Sequence, residues 1–247
     1  MRNPLFDDPD RTWERYGSQN PYFAVITCES FDRRNMSRTA KAEFFATGAR
    51  HVGRVMEQVR SVAGEINQSR CLDFGCGVGR LAIPFSKVFE RVVGVDVSRA
   101  MLDETRFNAA EMDCRNIDLA ATLDEVQGQF DLVHSYIVLQ HIEVGRGLKL
   151  IKSLFAATRP GGVCWLHLTI DSRRSLGQLR RFLPLHYLGN IVRGQPVFTP
   201  LMQMNPYPFS KVLDWLYEQG VTSMRLDLER HGAKAPLAVC MVFKKPE

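Results

Sequence analysis

Residues 70–170 repeat a single pattern, in which a short apolar run is followed by a turn and then by a longer amphipathic run. Successive βα units of a parallel sheet have this pattern, because each strand needs a helix to return the chain to the same edge. We therefore predict an α/β domain with a doubly wound, mostly parallel sheet. The predicted strands are residues 71–74, 92–95, 117–120, 132–135 and 163–169.

Helix-length stretches separate these strands at residues 80–89, 99–110 and 147–158, and Ser98 is placed to cap the second helix. Upstream, apolar residues recur at helical spacing over residues 39–62. This spacing predicts an amphipathic helix laid against the sheet.

The C-terminal part of the chain adds a predicted helix at residues 209–218 and two predicted strands, which bring the sheet to seven. Residues 224–229 alternate strictly between apolar and polar, which is typical of an exposed or edge strand. Residues 237–243 are continuously apolar, which favours a strand covered on both faces.

The composition of the 247-residue chain fits one large buried core, since 45% of the residues are hydrophobic. No apolar run approaches the roughly 18 residues that a membrane span needs, and the N-terminus lacks the apolar stretch of a signal peptide. We expect a cytoplasmic protein. The six cysteines are scattered without a Cys-x-x-Cys pair, so we expect reduced, mostly buried thiols and no metal site.

The first predicted strand runs into a glycine-rich loop, and residues 71–80 read Cys-Leu-Asp-Phe-Gly-Cys-Gly-Val-Gly-Arg. Nucleotide-like cofactors bind beyond the carboxyl ends of such strands, and Gly75, Gly77 and Gly79 would let the backbone approach a ligand closely. A dinucleotide fingerprint that starts at Gly75 needs glycine at position 80, where this chain has Arg80. NAD is therefore disfavoured.

Two acids accompany the loop. Asp73 precedes the first glycine by two residues, and Asp96 ends the next strand, where a carboxylate can accept hydrogen bonds from both ribose hydroxyls. The run from Asp73 to Gly79 resembles motif I of the class I methyltransferases that use S-adenosylmethionine (SAM), and residues 130–141 and 159–163 resemble later parts of the same domain. The chain is similar to the small-molecule methyltransferase domains of types 11 and 12.

The resemblance implies a Rossmann-like methyltransferase sheet and SAM as cofactor, with Asp73 near the methionyl amino group and Ser135 and Tyr136 along the methionine. Many members hold the adenine amino group with an acid where this chain has Ala121 and Thr122. The adenine would then depend on backbone groups and packing from Val97 and Met101, or on Asp118 or Asp124 in a shifted register. The predicted cofactor-binding residues are Asp73, Gly75, Gly77, Gly79, Arg80, Asp96, Val97, Met101, Thr122, Ser135 and Tyr136.

On this basis we divide the chain into four parts. Residues 1–62 are predicted to form an N-terminal lid segment and helix, and residues 63–170 the SAM-binding core. Residues 171–206 would be an insertion that caps the substrate, and residues 207–247 would add the last helix and two strands to the same sheet.

The leading candidate for a catalytic base is His141, which follows the fourth strand by a few residues. Similar small-molecule methyltransferases often carry histidine at this position. Methyl transfer mainly needs alignment, and a base is required only when the acceptor must lose a proton. The alternative is a histidine at a helix start that only bonds backbone. His134, by contrast, is expected to pack beneath the sheet.

Acceptor recognition is expected in the parts least similar to the family, residues 1–60 and 171–206. Ordinary core packing is the alternative for the aromatic and methionine candidates, and helix capping is the alternative for Gln140. The predicted substrate-binding residues are Tyr16, Tyr22, Gln140, Met204, Asn205, Tyr207 and His231.

The sequence favours transfer to oxygen or nitrogen of a small-molecule acceptor, such as a sugar, a lipid-linked compound or a secondary metabolite. Residues 176–193 interleave arginines with apolar side chains, which suits an anionic or phosphorylated acceptor or a membrane surface, although a plain lid helix explains them as well. Methylation of RNA or protein and non-catalytic SAM binding are the alternatives. No nucleic acid is expected as a partner, and the oligomeric state stays open.

Overall fold

The computed structural model describes residues 9–171, 204–230 and 235–247. Most of the predicted insertion therefore lies outside the described residues, including the basic segment 176–193. His231 lies outside them as well.

The described residues contain one seven-stranded sheet with the strand order β3-β2-β1-β4-β5-β7-β6. Strands β1 to β5 pair in parallel, and β7 runs antiparallel between β5 and β6. The predicted mostly parallel sheet is confirmed. The strands are β1 (Arg70–Phe74), β2 (Arg91–Val95), β3 (Ile117–Ala120), β4 (Phe130–Ser135), β5 (Thr158–Thr169), β6 (Met224–Glu229) and β7 (Ala238–Lys244).

The burial of the last two strands follows their sequence patterns. The alternating strand β6 is at the edge of the sheet, and Leu228 on it is 69% exposed. The continuously apolar β7 lies between two strands and is buried up to Phe243. Both predictions are confirmed.

Helices cover both faces of the sheet. On one face, α3 and α4 contribute Val55 and Phe85 to a hydrophobic cluster that also contains Trp165 of the sheet. On the other face, α6 and α7 contribute Leu154 and Leu216 to a second cluster. The helices are α1 (Pro9–Gln19), α2 (Pro21–Val25), α3 (Arg38–Ala63), α4 (Ala82–Phe85), α5 (Arg99–Glu111), α6 (Val144–Ala157) and α7 (Phe209–Glu218). Ser98 caps α5 as predicted, since its hydroxyl accepts from the Met101 amide at 3.2 Å.

The predicted helix at residues 80–89 is wrong in extent, because only the four residues of α4 are helical and the remainder forms turns. Pro84 has no N–H to donate to the carbonyl of Arg80. That carbonyl packs against α3 instead, where a Cβ on Gly48 would lie 2.0 Å from its oxygen.

The location of the site is set by the switch point between β1 and β4, where the direction of the strand order reverses. From β1 the chain winds outward through β2 to β3, and it then returns to β4 on the other side of β1. Ligands of open α/β sheets bind in the crevice beyond the carboxyl ends of the strands at such a switch point.

All six cysteines are free, as expected, and all but Cys28 are buried. In the part of the chain that the structure describes, no helix is both long enough and apolar enough to cross a bilayer.

Candidate functional site

The glycine loop leaves β1 with three residues in the left-handed region, since φ is +80° at Gly75, +55° at Gly77 and +84° at Gly79. A Cβ on Gly75 would lie 2.1 Å from the Val138 side chain, and one on Gly77 would lie 2.9 Å from Val25. The loop is thus closely packed by the segment after β4 and by the end of α2. These contacts demand glycine on steric grounds as well as conformational ones.

Asp96 follows β2 and faces the same loop. Its carboxylate accepts hydrogen bonds from the backbone amides of Gly77 and Ser98, each at 2.9 Å. Burial raises the pKa of Asp96 to about 6, although the two amide donors act in the opposite direction. A carboxylate has about four acceptor positions, so two bonds fix its orientation and leave capacity for hydroxyl donors.

Asp73 is the penultimate residue of β1 and is only 2% exposed. Its Oδ1 lies 2.9 Å from Nδ1 of His134 on β4, and among the described residues its buried Oδ2 has no hydrogen-bond partner. A buried carboxylate oxygen without a donor is costly and calls for an explanation. A ligand with a positively charged N–H group would satisfy it.

The side chains predicted to hold adenine are placed differently from one another. Val97 is 40% exposed and so is accessible to a ligand, whereas Met101 is buried beneath α1, near Gly17. Asp118 is held by an ion pair with Arg91 in the neighbouring strand, so a role for it through a shifted register is not supported.

An acid that the sequence reading missed lies at the end of β3. Glu125 accepts from the Ala121 amide at 2.9 Å and from the Thr122 hydroxyl at 3.3 Å, because the turn Leu123–Glu125 folds it back on the strand end. Its position four residues beyond Ala121 is the signal that could have revealed it. A carboxylate is therefore present at this strand end, although residues 121 and 122 are not acidic.

Helix α1 bridges the two ends of this site. Near β2, Glu14 accepts from the Ser98 hydroxyl at 2.8 Å, and near β4, Asp10 pairs with Arg146 at the same distance. Between these contacts the Trp13 ring lies edge-on to His141, with 5.0 Å between the ring centroids. The N-terminal segment thus packs across the carboxyl ends of the central strands.

Two tyrosines predicted to contact substrate belong to the core beneath this segment. The Tyr22 hydroxyl donates to Asn108 at 2.9 Å and also bonds Glu104, and its ring packs edge-on against Phe44. Tyr16 is buried as well, and burial raises its pKa to about 12. Tyr22 anchors the segment on α5 and Tyr16 belongs to its buried core, and a contact with substrate stays a prediction for each.

The segment after β4 begins with a strained residue. Ile137 has φ of +60°, which is an outlier for a β-branched side chain and costs about 1–3 kcal/mol. Such residues cluster at functional sites. It follows Ser135, whose buried hydroxyl has no partner among the described residues, and half-buried Tyr136, whose hydroxyl donates to Glu229 at 3.2 Å.

His141 is buried at the end of this segment, in the turn Leu139–His141. Gln140 accepts from the Thr169 hydroxyl at 2.8 Å, and its amide nitrogen lies 3.1 Å from Nε2 of His141. With the amide nitrogen as donor, Nε2 accepts and the neutral ring carries its proton on Nδ1. Gln140 does not cap the next helix, because the side chain of Glu143 does so.

Residues at the end of the predicted insertion and directly after it contact the same segment. Asn205 donates to the carbonyls of Gln140 and Ile142 at 3.2 and 3.1 Å, and the Tyr207 hydroxyl donates to the carbonyl of Leu139 at 2.9 Å. These polar groups are used by the protein, so both residues position the segment in this structure. Met204 is 41% exposed and stays a predicted substrate contact.

Arg80, predicted to touch the cofactor, is buried between α3 and the sheet. Its Nη1 donates to Thr47 at 3.3 Å, its guanidinium lies 5.8 Å from the centroid of the Tyr136 ring, and its Nε has no partner within the described residues. Burial lowers its pKa. Its contact with the cofactor stays a prediction.

A family model described as a methyltransferase domain matches residues 71–162. The match covers the glycine loop, both acids and the segment after β4. Residues 71–162 are therefore identified as a methyltransferase domain, as the motifs predicted.

Among curated proteins, the chain is similar to the ubiquinone biosynthesis O-methyltransferase of Bordetella avium (strain 197N). The two are 24% identical over 137 residues, which is 54% of this chain and 55% of that protein. The corresponding enzyme of Ruegeria pomeroyi is 31% identical over 118 residues, 42% of this chain and 46% of that protein. The chain thus spans about half the length of these relatives.

Solved structures match over almost the whole chain. Magnesium protoporphyrin IX methyltransferase (ChlM) from Synechocystis PCC 6803, solved with S-adenosylhomocysteine (SAH), has a TM-score of 0.63 at 18% identity and covers 96% of this chain and 100% of that one. The N-methyltransferase NodS from Bradyrhizobium japonicum WM9, solved with SAH, has a TM-score of 0.61 at 16% identity and covers 98% and 100%. At these identities the likeness concerns the fold, and it confirms the predicted Rossmann-like sheet.

Proposed function

We propose that this protein transfers a methyl group from SAM to an oxygen or nitrogen atom of a small-molecule acceptor. The observation that carries the proposal is the buried, unpartnered Oδ2 of Asp73 beside the three-glycine loop, with Asp96 at the end of the next strand. SAM has a group for each position, an ammonium for Asp73 and ribose hydroxyls for Asp96. The two carboxylate acceptors therefore fit the hydrogen-bond donors of this cofactor.

SAM, when bound, supplies a methyl group on a sulfonium, whose leaving group is already activated. The protein then has to hold the reactants in line and exclude water, and alignment can lower a barrier by roughly 7–11 kcal/mol. The close packing of α1 across the strand ends suits the exclusion of water. The segment after β4, in which His141 contacts Gln140 and Trp13, suits the orientation of an acceptor.

For a hydroxyl or ammonium acceptor, we propose that His141 takes the proton. In the described arrangement its Nε2 is bonded to Gln140, so Nε2 must exchange that partner for the acceptor before it can act as base. A neutral imidazole is the form needed for this step. Removal of His141 would then lower turnover more than SAM affinity.

A small-molecule acceptor is supported by two of the similar proteins, a ubiquinone biosynthesis O-methyltransferase and a magnesium protoporphyrin IX methyltransferase. The phosphorylated acceptor or membrane surface predicted for residues 176–193 falls outside the described residues and stays a prediction.

Calorimetry with SAM and NAD in parallel tests the cofactor. We expect SAM to bind and NAD not to bind. Asp73→Asn should weaken SAM binding by at least about tenfold, since a hydrogen bond to a charged group is worth roughly 1.5–3 kcal/mol. Asp103→Asn, on the exposed face of α5, is the matched control and should leave the affinity unchanged. Binding of NAD in place of SAM would overturn the proposal.

Transfer itself is tested with tritiated methyl SAM and a panel of phenols, alcohols and amines. Label should appear in at least one acceptor class, and His141→Asn should reduce its rate with little change in SAM affinity. SAM binding without transfer to any class in the panel would count against the acceptor proposed here.

A further inference from the structure

Three polar side chains form a chain that leads from the surface of α3 to Asp73. Nη2 of Arg54 lies 3.0 Å from Nδ1 of His51, and Nε2 of His51 lies 3.2 Å from Nε2 of His134. Nδ1 of His134 lies 2.9 Å from Oδ1 of Asp73. His51 lies outside the motifs that carry the sequence resemblance, and His134 lies within residues 130–141 but has no role assigned by that resemblance.

The protons in this chain have one consistent arrangement. Arginine can only donate, so Nδ1 of His51 must accept and the proton of His51 must be on Nε2. That N–H then donates to Nε2 of His134, which leaves the proton of His134 on Nδ1. The last bond is therefore donated to Asp73, which accepts it as a carboxylate.

The reverse direction is excluded by the first member. If Asp73 were protonated and donated to Nδ1 of His134, the proton of His134 would be on Nε2 and would point at Nε2 of His51. The proton of His51 would then have to be on Nδ1. Nδ1–H of His51 would then face the N–H of Arg54, and two donors would oppose each other. The charge of Arg54 is itself stabilised by Glu229, whose Oε1 lies 3.5 Å away.

Burial makes this arrangement matter. His51 is 5% exposed, His134 is completely buried against Trp165, and Asp73 is 2% exposed. Burial, followed by the charges of its neighbours, lowers the pKa of His51. The ring therefore stays neutral between Arg54, which donates to it, and His134, which accepts from it. Hydrogen bonds at low dielectric are strong, and a mismatched one is costly.

We propose that Arg54, His51 and His134 are positioning residues that hold Oδ1 of Asp73 through a donated N–H and thereby aim its open Oδ2 at the ammonium group of the cofactor. They act through Asp73 and touch no reacting atom. The inference rests on the proposed function, since it assigns the ligand of Asp73 as the amino-acid end of SAM.

The test compares SAM with 5′-methylthioadenosine, which lacks the amino-acid group. His134→Phe keeps a ring in the stack on Trp165 and removes both hydrogen bonds, and it should weaken SAM binding roughly ten- to a hundredfold. His134→Asn is the matched variant, because its amide nitrogen lies near the position of Nδ1, and it should bind SAM within about threefold of the wild type. Methylthioadenosine should bind all three proteins equally, which also shows that they are folded.

Arg54 offers a second pair, because its side chain is 49% exposed and its replacement should be tolerated. Arg54→Leu removes the group that sets the direction and should weaken SAM binding by roughly threefold to tenfold, whereas Arg54→Lys keeps a donor and should restore most of it. Nitrogen NMR of the wild-type protein should show neutral rings with the proton on Nδ1 of His134 and Nε2 of His51.

The outcomes separate this inference from the proposed function. Failure of SAM to bind the wild-type protein would overturn the proposed function. Equal SAM affinity in the wild type and His134→Phe, equal losses of SAM and methylthioadenosine affinity, or the opposite tautomers would overturn the positioning chain alone.

Discussion

The two sides of the site differ in how they are built. On the β1–β2 side, the glycine loop and Asp96 are formed by residues close in sequence and mostly by backbone, as in the bond from the Gly77 amide to Asp96. On the β4–β5 side, the segment around His141 is held by side chains from distant parts of the chain, including Trp13, Thr169 and Tyr207.

This difference matters for function. On the first side, the buried Oδ2 of Asp73 has no hydrogen-bond partner among the described residues and so is available to bind a ligand. On the second side, the polar atoms of Gln140, Asn205 and Tyr207 are already used by the protein. We therefore expect the first side to decide whether the cofactor binds and the second side to decide how fast the methyl group is transferred.

The largest effect is expected from Gly75→Ala. The new Cβ would lie 2.1 Å from Val138 at a φ of +80°, so the loop must move. The left-handed conformation costs about 1–2 kcal/mol and overpacking about 1–3 kcal/mol. We expect the free energy of unfolding to fall by about 2–5 kcal/mol and SAM binding to be lost, as measured by denaturant melts and calorimetry.

Gly53→Ala is the control for this change. Gly53 lies within α3, and a Cβ there meets no atom within 4 Å. Alanine in a helix interior should raise stability by up to about 1 kcal/mol. If Gly75→Ala behaved like Gly53→Ala, the close packing between the two sides of the site would be refuted.

A smaller effect is expected from acid. The pKa of Asp96 is raised to about 6 by burial, with smaller contributions from Asp73 and Glu14, so its carboxylate gains a proton as the pH falls through that value. The neutral form loses acceptor capacity for the ribose hydroxyls, and SAM affinity should fall roughly tenfold between pH 7 and pH 5.

Calorimetry across this pH range measures the effect. Asp96→Asn should bind SAM more weakly at pH 7 and should show a flatter profile than the wild type. Parallel profiles for the two proteins would assign the pH dependence to another group.

The smallest effect is expected on the other side of the site. Tyr207→Phe removes the hydroxyl that donates to the carbonyl of Leu139, and a lost hydrogen bond of this kind costs about 0.5–1.5 kcal/mol. The transfer rate should fall about twofold to tenfold, and SAM affinity should stay unchanged. Tyr217 on α7 is 72% exposed, so the control substitution Tyr217→Phe should change neither the rate nor the affinity. A loss of SAM affinity in Tyr207→Phe would show that the two sides do not work separately.

The strand pattern of the sheet could be predicted from sequence because each strand has a local signature. The alternating β6 and the continuously apolar β7 lie where their patterns placed them. The helix predicted at residues 80–89 was too long because its apolar spacing gave no sign that Pro84 and the approach of α3 would interrupt it.

The site was predictable to a similar extent. Asp73, Asp96 and the glycines could be found because they follow strands at short, fixed spacing. The histidine chain could not, since His51 belongs to a helix whose periodicity indicates only that one face is buried. The contacts of Gln140 and Tyr207 with the segment around His141 could not be predicted for the same reason, and a substrate contact for these two residues stays a prediction.

The sequence alone thus determined the glycine loop, both acids and the methyltransferase family, because the backbone conformation and the hydrogen bonds involved are set by neighbours along the chain. Only the tertiary structure decided that Asp73 keeps one oxygen open while its other oxygen is held from α3 through His51 and His134. That arrangement depends on side chains that meet across the packed face of the sheet, and such contacts have no fixed spacing in the sequence.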